Sequence, residues 1–201
     1  MKLNTKYEDK FNSLGSQVRV DESWDRYYNG SENLIAIQRY EYSIDRLYGK
    51  VLDVGSADGF GAYLMSLNPK IKKIIGIEIQ ERAINKSNKN LEDISNVEII
   101  KGIVEEMPFE DNAFDSVHCG QTLEHVFDDS LAVKEIHRVV KDLAVFSVPI
   151  MGGISAQHVR EYKTIQQFKD LLTPYFSIVD EKLFIDEKGH KRIVIEAKKT
   201  D

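Results

Sequence analysis

The chain has 201 residues, of which 42% are hydrophobic and 30% are charged, and its formal net charge at pH 7 is −6. These values are typical of one globular domain with a sizeable core, and the negative charge disfavours non-specific binding to nucleic acid. A single cysteine excludes an internal disulfide, and no apolar run reaches the roughly 20 residues that a membrane-spanning helix requires. The polar segment Met1–Lys10 lacks the apolar core of a signal peptide, so we expect a cytoplasmic location.

The N-terminal region differs from the remainder of the chain. Residues 1–30 are polar with scattered aromatic side chains and show no clear hydrophobic period, which predicts an arm or lid in front of a single domain over residues 31–201. A helix is predicted from Asn29 or Ser31 to about Leu47, because apolar residues recur there at helical spacing. Gly49 is expected to end that helix.

Beyond residue 50, short apolar segments alternate with helical patterns. The alternation predicts an α/β fold: a doubly wound, mostly parallel seven-stranded sheet with helices on both faces and an antiparallel C-terminal hairpin strand. The glycine-containing turn Asp186–Gly189 joins the last two strands. The predicted helices cover about 59–68, 80–90, 129–140 and 164–172. The predicted strands are Val51–Val54, Ile74–Ile79, Val97–Ile100, Ser116–Cys119, Ala144–Val148, Phe176–Ile185 and Arg192–Ala197.

The most informative segment is the glycine-rich turn after the first predicted strand, residues 53–61. Its glycines allow the backbone to approach a ligand closely. Two acidic residues in the turn, Asp53 and Asp58, would repel a phosphate and suit a cationic or hydroxyl-rich ligand. Counting from Gly55, the third and sixth places hold Ala57 and Phe60 instead of the glycines of a dinucleotide site. The turn therefore favours S-adenosylmethionine (SAM) over NAD.

Two further features follow later strands, at the edge of the sheet where open α/β folds bind ligands. Glu78 ends the second predicted strand, and a carboxylate there can accept hydrogen bonds from both hydroxyls of a ribose. The segment Lys101–Phe109 follows the third strand, and its backbone amides and apolar side chains are suited to flank an adenine. These features, together with the glycine-rich turn, predict one continuous cofactor site.

Taken together, these motifs resemble those of class I SAM-dependent methyltransferases, of the small group called the type 11 methyltransferase domain. The resemblance covers residues 48–150 and implies a Rossmann-like fold, SAM as methyl donor and S-adenosylhomocysteine as product. The segments that carry it are Val51–Gly59, Glu78, Glu105–Asp115, Gln121–Val126 and Glu135–Lys141. The cofactor-binding residues that it implies are Tyr27, Asp53, Gly55, Ser56, Asp58, Gly59, Phe60, Glu78, Ile79, Ile103, Val104 and Gln121.

The sequence departs from the family pattern at two places in this site. Ser56 and Ala57 stand where Cys-Gly is commoner, and Ile103 stands where the family usually has an acid that reaches the adenine amino group. The second departure removes one hydrogen bond, worth about 0.5–1.5 kcal/mol. We therefore expect a lower affinity for SAM, though not its loss.

His125 and His158 are the candidate catalytic residues. Methyl transfer mainly requires alignment of the reactants and exclusion of water, and a base is needed only if the acceptor must lose a proton early. A histidine suits that role because its pKa lies near neutrality. The resemblance favours a loop-fixing role for His125, whereas substrate contact and loop anchoring remain equally open for His158. Glu124, Arg160 and Glu161 are the other charged residues expected nearby.

The acceptor is less constrained by the sequence than the donor. No histidine or cysteine pair shows metal-ligand spacing along the chain, so no metal is expected. A small-molecule or glycan-type acceptor is expected because the chain has neither a large substrate domain nor a basic groove, and neither a membrane nor a nucleic acid is expected as partner. The alternative interpretation is a SAM-fold binding or regulatory module without turnover. The oligomeric state is not indicated.

Overall fold

The computed structural model describes residues 31–151 and 158–201. The predicted arm or lid over residues 1–30, with Tyr27, lies outside the described residues and stays a prediction, as does the boundary between that arm and the domain. No helix in the described part of the chain is long and apolar enough to cross a membrane.

Twelve helices and strands follow one another along the described residues, close to the predicted bounds. The helices are α1 Ser31–Ile44, α2 Phe60–Ser66, α3 Glu81–Asn90, α4 Asp129–Val139 and α5 Ile165–Leu172. The strands are β1 Gly49–Val54, β2 Ile71–Glu78, β3 Val97–Lys101, β4 Phe114–Gly120, β5 Val140–Ile150, β6 Phe176–Ile185 and β7 Lys191–Lys199.

The seven strands form one sheet in the order β3-β2-β1-β4-β5-β7-β6. The first five strands pair in parallel, and β7 runs antiparallel to both of its neighbours. The predicted mixed sheet is therefore confirmed, with β7 inserted between β5 and β6. Strand order reverses between β1 and β4, which creates the crevice where open α/β sheets bind ligands.

Two hydrophobic clusters cover the two faces of this sheet. Leu52 and Val54 of β1 belong to one cluster, whereas Val51 belongs to the other, because successive side chains of a strand point to opposite faces. Cys119 is fully buried in the first cluster, as expected for a core residue. Each fully buried large aliphatic or aromatic side chain stabilises the fold by about 1.5–3 kcal/mol, so the two clusters stabilise the sheet that forms the crevice.

Local signals explain where several elements begin. The Asp128 side chain accepts a hydrogen bond from Leu131 N (2.9 Å) at the start of α4, and Thr164 accepts one from Gln167 N (3.0 Å) at the start of α5. Gly49 opens β1 with a φ of 69°. A Cβ there would lie 2.3 Å from Asp115 Oδ2, so the chain can turn from α1 into the sheet only with glycine at this position.

Candidate functional site

The glycine-rich turn between β1 and α2 is folded against β2. The backbone N–H groups of Gly55 and Ser56 both donate to Ile77 O, at 2.9 and 3.2 Å. Gly55 and Gly59 have φ angles of 75° and 85°, which favour glycine. Gly76 of β2 permits the approach, because a Cβ there would lie 2.2 Å from Ser56 Oγ. The turn is therefore fixed tightly at the end of the first strand.

Ala57 lies in the middle of this turn with a φ of 50°. This left-handed conformation costs an L-residue roughly 1–2 kcal/mol. Ala57 is the position where the resembling family more often has glycine, so the departure noted in the sequence introduces local strain. Strain of this kind concentrates at functional sites, where the surrounding structure maintains it.

Asp53, a predicted cofactor residue, is paired with a histidine of the neighbouring strand. Asp53 Oδ1 and His118 Nδ1 lie 2.8 Å apart, and both side chains are buried. The two residues are register partners in the β1–β4 pair, and Tyr40 of α1 packs on the His118 ring. The pairing orients the Asp53 carboxylate at the base of the turn. Sequence reasoning missed His118, because its partner lies 65 positions away.

Asp58 and Phe60, also predicted, are buried where the turn enters α2. Asp58 Oδ1 accepts a weak hydrogen bond from Phe60 N (3.4 Å), and Asp58 O accepts one from Asn90 Nδ2 (3.0 Å). Asp58 thereby connects the turn to the end of α3.

Glu78, the predicted ribose ligand, is buried at the end of β2 and organises two loops. Its carboxylate accepts three backbone N–H groups, from Ala57 (3.0 Å), Ile79 (2.9 Å) and Gln80 (2.9 Å). Burial raises the pKa of Glu78 and outweighs these three donors. A carboxylate offers about four acceptor positions, so one remains for a ligand hydroxyl. Beside it, Gln80 Nε2 is buried without a hydrogen-bond partner among the described residues.

The segment after β3 covers the same end of the sheet. Gly102 N donates to Glu78 O (2.9 Å), and the predicted residues Ile103 and Val104 that follow are buried. Glu105 Oε1 accepts from Phe127 N (2.9 Å), so this segment is held against the chain leading into α4. The apolar surface expected beside an adenine is thus placed next to Glu78.

The chain leaving β4 meets the glycine-rich turn directly. Thr122 Oγ1 donates to Val54 O (2.9 Å), and a Cβ on Gly55 would lie 2.5 Å from that hydroxyl oxygen. Gln121, a predicted cofactor residue, has a φ of 55°, and its N–H donates to Ser147 O (2.8 Å). The loops after β1 and β4 therefore face each other across the crevice. Thr122 is a second residue that sequence reasoning missed.

Arg160 connects the chain after β5 to the chain after β4. Its guanidinium donates to the carbonyls of Leu123 (2.8 Å), Val126 and Phe127 (2.7 Å), and it is ion-paired with Asp129 at 3.2 Å. Arg160 was expected near the site as a charged residue, and the structure gives it a structural role, that of shaping the loop that carries His125.

The two candidate catalytic histidines come together beside this loop. The rings of His125 and His158 are 5.0 Å apart, centre to centre, and meet edge to face at 79°. Burial lowers the pKa of His158, and the nearby His125 and Arg192 lower it further. Glu124 lies beside them with 1% of its surface exposed, and burial raises the pKa of its carboxyl to about 8.

Glu124, His125 and His158 form a group whose potential ligand atoms all lie within 4.8 Å of one another. The expectation that no metal binds relied on spacing along the sequence. That spacing did not anticipate this group, since His158 lies 33 positions after His125 and reaches it only through the tertiary structure.

Comparison with known proteins decides the family. Residues 48–191 match the family model described as a methyltransferase domain. The chain belongs to this family. It is a SAM-dependent methyltransferase, as the resemblance implied, with SAM as its cofactor. The match favours the enzyme over the module without turnover.

Relatives and solved structures agree with the assignment. The methyltransferase is 27% identical to a demethylmenaquinone methyltransferase of Staphylococcus carnosus (strain TM300), over 70% of this chain and 71% of the relative. It is 28% identical to a protein of the same name from Staphylococcus aureus (strain JH9), over 80% and 67%. The crystal structure of the N-methyltransferase NodS from Bradyrhizobium japonicum WM9, in complex with S-adenosyl-L-homocysteine, superposes with a TM-score of 0.75 at 15% identity. It covers 95% of this chain and 98% of NodS, and the likeness shows the shared fold.

Proposed function

We propose that this methyltransferase transfers the methyl group of SAM to a small-molecule acceptor that enters between the loops after β4 and β5. The observation that carries the proposal is the position of His125 and His158. His125 N donates to Thr122 O (2.9 Å), and Thr122 in turn contacts the end of β1. Thr122 therefore connects the histidine pair to the strand end that precedes the predicted cofactor turn.

The donor half of the site is proposed from the polar groups that the fold leaves available. The remaining acceptor position of Glu78 and the buried Gln80 Nε2 suit the hydroxyls of a ribose, and Ile79 lies beside them. Ile103 and Val104 provide apolar surface for the adenine.

The backbone of Gly55–Phe60, with Gln121 opposite, suits the methionine end of SAM, and Tyr27 stays a predicted lid residue. Asp53 acts by holding the turn through His118.

The chemistry at the donor is simple. Bound SAM supplies an activated methyl group on a sulfonium, so the residues of this chain have only to align the acceptor, exclude water and hold a proton where the acceptor releases one. His158 suits the last role as long as no metal ion occupies its ring nitrogens, because burial lowers its pKa and thereby favours the neutral imidazole.

The acceptor is proposed to be at least partly apolar. Met151, directly after β5, and Val159, next to His158, expose 57% and 38% of their surface, and neither side chain is suited to hydrogen-bond a sugar. The relatives' name, demethylmenaquinone methyltransferase, is consistent with an acceptor of that kind. A glycan-type acceptor is the alternative.

A direct test is methyl transfer from radiolabelled SAM to a panel that contains demethylmenaquinone, small hydroxylated aromatic compounds and oligosaccharides. We expect transfer to a member of the first two groups. Glu78→Ala is expected to abolish both SAM binding, measured by calorimetry, and transfer. Glu81→Gln is the matched control, because Glu81 is an exposed neighbour paired with Lys101 at 3.3 Å. Transfer to oligosaccharides alone would contradict the acceptor proposal, and unchanged SAM binding in Glu78→Ala would contradict the donor site.

A further inference from the structure

A cluster of three potential metal ligands lies on the acceptor side of the crevice. We propose that Glu124, His125 and His158 bind one divalent transition-metal ion of the zinc class. The ligand atoms of the three residues lie within 4.8 Å of one another. Two imidazoles and one carboxylate are a donor set that zinc and neighbouring transition metals bind well, whereas magnesium and calcium prefer oxygen ligands alone.

The arrangement of the two rings fits a shared ion. Zinc binds imidazole nitrogen at about 2.0–2.1 Å, so two imidazoles on one tetrahedral zinc ion have ring centres roughly 5 Å apart. The ring centres of His125 and His158 are separated by 5.0 Å. The ligand atoms of the two rings lie within 4.8 Å of each other, so both side chains have to turn toward one point for their nitrogens to bind one ion.

Glu124 provides an independent indication of a ligand. Its side chain is almost completely buried, and Oε2 has no hydrogen-bond partner among residues 31–151 and 158–201. A buried polar atom without a partner is destabilising, and more so if it is charged. A metal ion bound between this oxygen and the two half-buried imidazoles would remove that cost, since it supplies the missing partner.

The backbone holds the three ligands at a fixed separation. Glu124 O accepts hydrogen bonds from Val159 N (2.8 Å) and Arg160 N (3.3 Å). These bonds join the loop after β4, which carries Glu124 and His125, to the chain after β5, which carries His158. Arg160 adds its bonds to the carbonyls of Leu123, Val126 and Phe127. The site is therefore preorganised, which reduces the entropy lost when a ligand binds.

Two of the three arginines near the site are matched by acids. Arg39, Arg160 and Arg192 all act on Glu124 electrostatically. Arg160 is ion-paired with Asp129 at 3.2 Å and Arg192 with Asp186 at 3.1 Å. The repulsion that a bound cation meets from these two groups is thereby reduced.

Three protein ligands leave at least one coordination position open, as in catalytic zinc sites. This part of the inference rests on the proposed function: at the open position the ion would hold an oxygen atom of the acceptor. Metal binding itself does not depend on that role, so the two statements can be tested separately.

The test uses the full chain, stripped of metal with a chelator and titrated with Zn²⁺ in competition with a chromophoric chelator. We expect one ion per chain with a dissociation constant below about 1 μM. Co²⁺ should give the absorption bands of a low-coordinate site, and excess Mg²⁺ should not compete. His125→Asn and His158→Asn should each weaken binding at least tenfold, whereas His137→Asn, which changes a histidine on α4 far from the cluster, should not.

Glu124→Gln should also weaken binding, and the two histidine variants keep the test decisive if that variant fails to fold. Absence of Zn²⁺ binding, or binding that the His125 and His158 variants leave unchanged, would overturn the proposal. Calorimetry with SAM on the same samples separates this result from the proposed function. Zinc binding without SAM binding would contradict the donor site and leave the metal site intact. Methyl transfer that is insensitive to zinc removal would contradict only the role of the open position.

Discussion

The carboxylate of Asp53 and the imidazole of His118 form a buried pair across β1 and β4, with Oδ1 and Nδ1 2.8 Å apart. The pair connects the strand that ends in the cofactor turn to the strand that leads to the acceptor loop. Removal of the imidazole leaves the buried Asp53 carboxyl without this hydrogen bond, so we expect His118→Ala to destabilise the protein by about 1–3 kcal/mol. Urea unfolding measures this change.

A double-mutant cycle isolates the pair from general packing. Asp53→Asn combined with His118→Ala should cost less than the sum of the two single changes, because the second change removes the group that the first left unpaired. Additive costs would show that the pair is not coupled.

Glu78 should matter through its charge. In Glu78→Gln, an NH2 group that cannot accept hydrogen bonds replaces one carboxylate oxygen. It would face either the N–H of Ala57 or the N–H groups of Ile79 and Gln80. Hydrogen bonds to a charged group are worth about 1.5–3 kcal/mol, so we expect SAM affinity to fall roughly tenfold or more. Calorimetry measures it, and Glu81→Gln should leave it unchanged.

Ala57→Gly should relieve the strain in the cofactor turn. The left-handed conformation at a φ of 50° costs alanine roughly 1–2 kcal/mol, but glycine loses more entropy on folding. The expected net result is a stabilisation of up to about 1 kcal/mol in urea unfolding. Asn112→Gly is the control: Asn112 has a φ of 54°, but Asn tolerates this region and its Oδ1 accepts from Lys199 Nζ (2.7 Å). Destabilisation by Ala57→Gly would contradict the statement that the conformation of Ala57 is strained.

Arg160 should behave as a structural residue. Arg160→Lys replaces a planar five-donor group by an ammonium that cannot reach all three carbonyls, and we expect a loss of about 2–3 kcal/mol together with faster amide exchange over residues 123–128. Tyr162→Phe is the control, because it removes only the bond to Asp129 Oδ2 (2.8 Å). Unchanged exchange in Arg160→Lys would show that the loop is held by other contacts.

Asp186 should make stability depend on acid pH. Burial alone would raise the pKa of Asp186, but His190 and Arg192 lower it to about 2. Because the folded pKa lies below the unfolded value of about 3.9, the stabilisation is complete above that value and is lost as pH falls toward 2. Asp186→Asn should therefore cost roughly 1–2 kcal/mol at pH 7 and almost nothing at pH 2, measured by urea unfolding. An equal cost at both pH values would contradict the lowered pKa of Asp186.

Most of the fold was predictable because its signals are local. The seven strands and the helices between them were located to within a few residues, as the observed strand Phe176–Ile185 illustrates. The larger differences are at ends. The strand β5 begins at Val140 instead of Ala144, and α1 ends at Ile44 instead of about Leu47, since the chain must turn before Gly49. The insertion of β7 between β5 and β6 is a long-range pairing with no local sequence signal.

The residues of the candidate site also fall into two groups, those with a local sequence signal and those placed by long-range contacts. The glycine-rich turn, Glu78 and the segment with Ile103 were recognisable because each is a short pattern after a strand, and parallel strands bring such ends to one edge. The roles of His118 and Thr122 were not recognisable. Each acts through a contact with residues 65 or 68 positions away, and no spacing rule connects them.

By itself, the sequence determined the alternation of strands and helices, since periodicity and turn chemistry depend on neighbouring residues. The resemblance of its short motifs to those of SAM-dependent methyltransferases implied the family and the methyl donor. Only the tertiary structure decided which polar groups meet. It paired Asp53 with His118, assigned Arg160 to the loop after β4, and joined Glu124 and His125 with His158. These contacts depend on the register between strands and on the packing of two distant loops, which a single sequence does not specify locally.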